Sequence, residues 1–424
     1  MFYLKPLPQI QFLKCKSTIL YETENRKQRV YDVLKNCFYL CIMDKNEFKG
    51  SQRVGILGGG QLGRMFIQSA ISFDVSVEIL ENSLDAPCAE IANSFTLGDI
   101  NDFESVYNFG KNLNILTVEI ENVNIEALYK LESEGVKVYP QPRVLELIKD
   151  KGIQKQFYID HNIPTAPFEL IEANPDKNLL TEKIPFVQKL RTGGYDGKGV
   201  QVIKTKSDAK DLFEAPSLIE ELIPFEKELS IIVARNENGE KSVFPSVECE
   251  FNDANLVEFL FSPAEINSSI ENEAKKIAMQ IIDSLEMVGI LAVEFFLTKE
   301  GTLLVNEIAP RPHNSGHHTI ECNVTSQFEQ HLRTVMNFPM GDTSAIQKGA
   351  MINLIGEPGH NGLVNYQGLT EVLSLKSTHV HLYGKKTTKP FRKMGHITVC
   401  GEDMKDVKLN AKNILKQIRV ISHS

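Results

Sequence analysis

The sequence lacks a Cys-x-x-Cys pair, an excess of positive charge, and any uninterrupted apolar run near the ~18 residues of a membrane span. The seven cysteines, Cys15, Cys37, Cys41, Cys88, Cys249, Cys322 and Cys400, are an odd and scattered set. They suit reduced thiols of a cytoplasmic protein, not a disulfide frame or a zinc site. A formal net charge of -9 argues against a nucleic-acid partner, which would draw on clustered Lys and Arg. The first fifty residues hold nine Lys/Arg and five Asp/Glu. They lack a small-residue cleavage site after an apolar stretch, and their acids are unlike a transit peptide. At 424 residues the chain is long enough for two or three domains and no membrane partner is implied.

What is present is glycine, cation and carboxylate in three places. A strand-like run from Ile184 to Leu190 brings Lys189 and Arg191 to the turn Gly193-Gly194-Tyr195-Asp196-Gly197-Lys198-Gly199. Glycines let backbone N–H groups approach phosphate oxygens, and lysine adds a point charge. A solvated hairpin tip is the plain alternative.

Residues 289–309 read as two apolar strands around Lys299-Glu300-Gly301-Thr302. A two-residue loop at Glu300-Gly301 pairs Phe295 with Asn306 and Glu294 with Glu307. Opposed side chains on one face sit roughly 5 Å apart, and like charges there need compensation. A hard dication does that, and Mg2+ is the expected ion, with phosphate oxygens completing its shell. Asn306 precedes the second carboxylate and Arg311 follows it. A slip of one residue would put the acids on opposite faces.

Near the beginning, Arg53 to Leu57, the turn Gly58-x-Gly60-x-x-Gly63, a helix from Gln61 to Ile71 and a strand from Val75 to Leu80 form a βαβ opening. With Glu78 or Glu81 about 20 residues on, this fits a dinucleotide fingerprint. The same turn can also offer helix N-terminal amides to any phosphate. A third strand, Ile115 to Ile120, ends in Glu119-x-Glu121-Asn122, with Asn122 as a helix cap or the acids facing a ligand. A helix from Lys151 to His161 stops at Asn162-Ile163-Pro164. Another lies between Glu271 and Val288, its stripe of Ala274, Ile277, Ala278, Ile281, Ile282 and Leu285 apolar and Gly289 as its C′ residue. Past residue 350 come short strands, Met351 to Ile355, Thr370 to Leu375, Val380 to Tyr383 and His396 to Val399, and a helix from Met404 to Ile418. Lys385, Lys389, Arg392 and Lys393 cluster between two of them. His313 and His317 are four apart, but Ser315-Gly316 between them disfavours a shared helix face for a transition metal.

The glycine loop, the opposed carboxylates and the run from Asn306 through Arg311-Pro312-His313-Asn314-Ser315-Gly316-His317 resemble the ATP-grasp superfamily. With Gly58-Gly59-Gly60-Gln61-Leu62-Gly63-Arg64-Met65, the chain is similar from about residue 52 onward to its 5-(carboxyamino)imidazole ribonucleotide synthases. The resemblance implies an α/β (α+β) fold with a 1–50 extension, a Rossmann-like domain over 51–148, an ATP-grasp domain over 149–349, and a small β-rich C-terminal domain over 350–424. Because such chains start near Met43, residues 1–42 are expected to precede the true start.

The implied activity is ATP-dependent carboxylation of 5-aminoimidazole ribonucleotide with bicarbonate, through carboxyphosphate, in purine biosynthesis. The resemblance also implies a cytoplasmic homodimer. It places Lys151, Lys189, Gly194, Tyr195, Asp196, Gly197, Lys198, Gly199, Glu220, Glu221, Leu222, Ile223, Glu228, Asn306 and Glu307 at ATP. It gives Glu294 and Glu307 to the metal, and Gly60, Gln61, Leu62, Lys385 and Arg392 to the ribonucleotide. Asp196 with Tyr195, Arg311, His313 and Asn314 would serve the reacting groups. Lys151 and Lys198 stand where the family often has arginine, keeping charge without the bidentate fork. Glu248 matches a variable nucleotide-side position. Rival readings are a formate-using ribonucleotide transformylase, a nicotinamide-dependent oxidoreductase and an inactive nucleotide sensor.

Overall fold

The computed structural model describes residues 52–194, 199–252 and 256–423. The expectation of a start at Met43 lies outside the described residues. Helices and strands alternate at first, and a parallel sheet forms in the order Ser94–Leu97, Ser76–Glu81, Arg53–Leu57, Ile115–Val118, Lys137–Tyr139. The strands are apolar because both faces are covered: Val54, Ile56, Val77 and Ile79 pack on one side, and Leu57, Leu80, Leu116 and Val118 on the other. Strand order reverses between Arg53–Leu57 and Ile115–Val118, so a crevice opens at their carboxyl ends. The strand expected third, from Ile115 to Ile120, is fourth in the chain after Ser94–Leu97 and stops at Val118. Asn124, not Asn122, caps the next helix, Ile125–Ser133, by accepting from the Ala127 N–H.

Two helices, Pro142–Lys149 and Lys151–Asp160, lead into an antiparallel sheet ordered Phe168–Ile171, Ser217–Glu221, Phe186–Leu190, Val200–Ile203. A larger sheet follows, running Leu303–Ala309, Gly289–Thr298, Phe225–Arg235, Val247–Phe251, Val257–Ser262, Lys348–Ile355, Lys393–Gly401, Thr378–Leu382. Its pairing of Phe261 with Ala350 carries the hydrogen-bonded ladder across the boundary expected at 349/350. The central and C-terminal regions therefore share one sheet.

The helix Ser268–Ser284 lays its expected apolar stripe, Ala274, Ile277, Ala278, Ile281 and Ile282, on this sheet. Its C-terminal turn differs from expectation. Glu286 takes the left-handed position at φ 45°, while Gly289 opens the next strand. Residues 370–375 are also not a strand: Leu369–Leu373 is a short helix that buries Val372. A run that short carries too few periods for helix and strand to be told apart. Strands Gly362–Gln367 and Arg419–Ser422, unmarked by the sequence pattern, pair with each other. No helix among the described residues is long and apolar enough to cross a membrane.

Candidate active site

The hairpin of residues 289–309 reaches its pairing by a different route from the expected one. Gly301, at φ 84°, donates to the Thr298 carbonyl at 3.0 Å, and Thr298 N–H donates to Thr302 O at 3.0 Å. The loop is thus Lys299-Glu300-Gly301, one residue longer than expected, and Phe295 faces Val305, not Asn306. Asn306 is then an extra residue in its strand, a β-bulge that restores Glu294 opposite Glu307. Ser230 pairs with Glu294 from the other side, so Glu228, Ser230, Glu294 and Glu307 lie on one face of the sheet.

Burial and the neighbouring Glu307 push the Glu294 carboxyl up to about 7. Burial and the Glu294 charge do the same for Glu228, to about 7. Burial also acts on Glu307, but Lys151, paired with it, and Lys189 outweigh that effect and hold it below its ordinary value. Cys249 is the cross-strand partner of Glu228, and burial followed by the Glu294 and Glu228 charges pushes its thiol far up. Glu248 pairs with Leu229, on the opposite face, and its carboxylate holds Lys227 at 2.7 Å.

Lys189 Nζ donates to Asn306 Oδ1 at 2.7 Å and lies 2.7 Å from Glu220 Oε2. The bulge thereby aims Asn306 at the same cation cluster that Glu307 meets. Glu220, 3% exposed, also holds Lys155 at 2.6 Å. Its side chain is thus committed to an internal triad, and its backbone lies between Phe168 and Val187 in the sheet. Lys155 was not marked by the sequence; burial pulls its pKa down to about 8 against the pull of Glu220. Arg191, at the start of the glycine turn, grips Asp150 through Nε and Nη2 at 2.7–3.1 Å. Asp150 caps the helix Lys151–Asp160, which fixes Lys151 at that helix's first turn.

The strands Phe186–Leu190 and Val200–Ile203 pair and bring Gly194 and Gly199 together. Tyr195, Asp196, Gly197 and Lys198, on the loop between these glycines, lie outside the described residues.

Acceptors within the protein fill amides of the glycine turn at 58–63. Gly59 N–H donates to Glu81 at 2.9 Å, Gly60 N–H to Glu119, and Leu62 N–H to Glu119 at 2.9 Å. Glu119 therefore occupies the helix N-terminus that a pyrophosphate would need, and Glu78 is paired with Arg53. This corrects the dinucleotide reading. Leu62 is buried with its amide engaged. Beside the turn, Gly60, Gln61, Ser83, Lys385, Thr387 and Arg392 line a cavity of about 250 Å³. Lys385 Nζ donates to Gln61 Oε1 at 2.9 Å, and Arg392 Nη1 to Thr387 O at 2.7 Å.

The segment after the hairpin reaches both Glu294 and Glu121. Arg311 Nε sits 2.9 Å from Glu121, and His313 Nε2 is 3.6 Å from Glu294. Asn314, 8% exposed, finds no hydrogen-bond partner for either amide atom among the described residues. His317 and His318 are buried at 1% and 2%, and burial pulls both below their ordinary range. No group of three or more His, Cys, Asp or Glu able to hold a metal occurs among the described residues. A dication here would rest on the two opposed carboxylates and on ligand oxygens.

Comparison with known proteins matches residues 51–149 to a ribonucleotide synthetase preATP-grasp domain, 156–328 to an ATP-grasp domain, and 349–409 to a phosphoribosylaminoimidazole carboxylase C-terminal domain. An N5-carboxyaminoimidazole ribonucleotide synthase of Bacillus subtilis is 38% identical over 352 residues, 81% of this chain and 90% of that one. The N5-carboxyaminoimidazole ribonucleotide synthetase structure from Thermotoga maritima superposes with a TM-score of 0.81 at 38% identity, covering 88% of this chain and all of that one. The Aspergillus clavatus synthase, solved with ADP and 5-aminoimidazole ribonucleotide, gives a TM-score of 0.80 at 29% identity, covering 87% and 98%. The chain spans about two thirds of the length of the phosphoribosylaminoimidazole carboxylases it matches, such as 68% of that of Ogataea methanolica.

Proposed function

Because the chain belongs to the N5-carboxyaminoimidazole ribonucleotide synthase family, we propose that it joins bicarbonate carbon to the exocyclic amine of 5-aminoimidazole ribonucleotide at the expense of ATP. The observation that carries this reading is the continuity of the site. Glu307 faces Glu294, Glu294 lies beside His313, and Arg311 reaches Glu121, two residues beyond the Glu119 that accepts from Gly60 of the cavity wall.

Lys151 and Lys189 stand where the polyphosphate of ATP would carry its charge, and Asn306 and Glu220 hold Lys189 in place. Glu294 and Glu307 suit Mg2+, since a hard cation offsets the burial and the Glu307 charge that together raise the Glu294 carboxyl to about 7. Glu294 and Glu307 would hold the ion, which would supply positive charge against the negative charge of the phosphates. Glu228, on the same sheet face, is assigned to the ribose hydroxyls of the nucleotide.

Bicarbonate oxygen attacks the γ-phosphorus of ATP, giving carboxyphosphate and ADP. The amine then takes the carboxyl carbon, phosphate leaves, and one amine proton must be removed. Asp196 is assigned that proton, with Tyr195 beside it, and the glycine loop excludes water that would hydrolyse the intermediate. The buried and unmatched Asn314 amide, with His313 and Arg311, receives the carboxylated group. Lys385 and Arg392 clamp the ribonucleotide phosphate as charge-assisted donors. A homodimer remains part of this proposal, and light scattering tests it.

ADP release is the direct assay. It should rise with 5-aminoimidazole ribonucleotide and rise further with bicarbonate. Release stimulated by formate instead would mean a transformylase.

A further inference from the structure

We infer that Gln327 is a positioning residue of the ligase reaction, holding His313 and Asn314 in register with Glu294. It rests on the ligase reading of those two residues, which assigned nothing to Gln327.

Gln327 begins the helix Gln327–Val335 and is fully buried. Its carboxamide points back at the substrate-facing turn. Oε1 accepts from the His313 N–H at 2.9 Å, and Nε2 donates to the His313 carbonyl at 2.8 Å. One side chain thus pairs with a single residue's backbone as a neighbouring strand would. Nε2 also approaches His317 Nδ1 at 3.1 Å. These contacts fix the amide orientation, because the N–H of His313 needs an acceptor and its carbonyl a donor. They also fix the His317 tautomer: Nδ1 accepts, so the ring proton is on Nε2.

Two further contacts make this a built arrangement. A Cβ on Gly316 would lie 2.5 Å from the Gln327 amide carbon and 2.3 Å from Ile232, so the turn can approach this closely only as glycine. The His313 ring is held separately, by Ser315 Oγ at 2.9 Å from Nδ1, with Ser315 Oγ 2.8 Å from Ser230 on the carboxylate-bearing face. Backbone and ring of His313 are therefore anchored from two directions, leaving its Nε2 toward Glu294.

A glutamate at 327 keeps the acceptor for the His313 N–H but sets a carboxylate against its carbonyl and against His317 Nδ1. A displacement of about 1 Å near reacting groups costs about 10²-fold in rate. For Gln327→Glu we expect kcat about 100-fold lower with the KM for ATP within twofold of the parent. Gln327→Met should show the same split. The carboxylate should also favour the His317 imidazolium in Gln327→Glu, visible as a ring titration by 15N NMR that the parent lacks at pH 5–8. Unchanged kcat, or kcat and ATP KM lost together, would overturn the inference. In the parent itself 15N NMR should find the Nε2–H tautomer at His317; the Nδ1–H form would overturn it without any variant. Absence of aminoimidazole-dependent ADP release by the parent would instead reject the ligase reading, leaving the tautomer test standing.

Discussion

Replacing Glu307 by Gln removes the charge opposite Glu294 while keeping the side chain's size. Two unit charges roughly 5 Å apart at an effective dielectric of about 20 repel by about 3 kcal/mol. The side chains are 31% and 43% exposed, so solvent reduces this to about 1–2 kcal/mol, or about one pKa unit. Glu294 has its carboxyl at about 7 in the parent, from burial first and Glu307 second. It should therefore titrate about one unit lower in Glu307→Gln, still above an ordinary glutamate because burial remains. The sign for stability follows. The folded pKa lies above the unfolded one, so between about 4.5 and 7 the native state binds more protons. Stability of the ligand-free protein then falls as pH rises through that window, and falls less in the variant. Carbon-13 NMR of glutamate-labelled protein, with Glu294→Gln for assignment, reads the titration. A parent Glu294 titrating near 4.5, or a titration unmoved by Glu307→Gln, would refute the reasoning.

Glu220→Gln should leave the buried Lys155 and Lys189 without their shared counter-charge. A loss of about 3–5 kcal/mol is expected, seen as a lower denaturant midpoint; without Glu220 to hold it up, the Lys155 pKa falls below its parent value of about 8, and an unchanged midpoint would mean the triad is not formed. Arg392→Ala should raise the ribonucleotide KM about 10- to 100-fold, the worth of a charged hydrogen bond, with the ATP KM unmoved; a shift in ATP KM would place Arg392 elsewhere. Asp196→Asn should suppress ligation while sparing ATP binding by calorimetry, and unaltered turnover would reject its role as base.

The hairpin shows how far local pattern reaches. Two acids spaced across a glycine turn were legible, and they do face each other. The route was not: a three-residue loop shifts the register one way and the bulge at Asn306 shifts it back, and neither leaves a mark in alternation alone. The glycine fingerprint by itself left a dinucleotide open for a long-range reason, since the acid that fills its amides, Glu119, lies 59 residues beyond Gly60. Lys155 and Gln327 were invisible for the same cause. Each acquires its role from a partner on another element, Glu220 or His313. The helix Ser268–Ser284 was plain because five buried positions recur at helical spacing, whereas Leu369–Leu373 buries one.

The central claim is that a nucleotide anchored at Glu294 and Glu307 drives carboxylation of an aminoimidazole. Incubating the protein with Mg·ATP, 5-aminoimidazole ribonucleotide and 13C-bicarbonate, and following the carbamate carbon by NMR, tests it most directly. The expected result is a new 13C carbamate signal growing one-for-one with ADP, and lost in Glu294→Gln. ADP formed without label in the ribonucleotide, or a carbamate signal undiminished in that variant, would contradict the account.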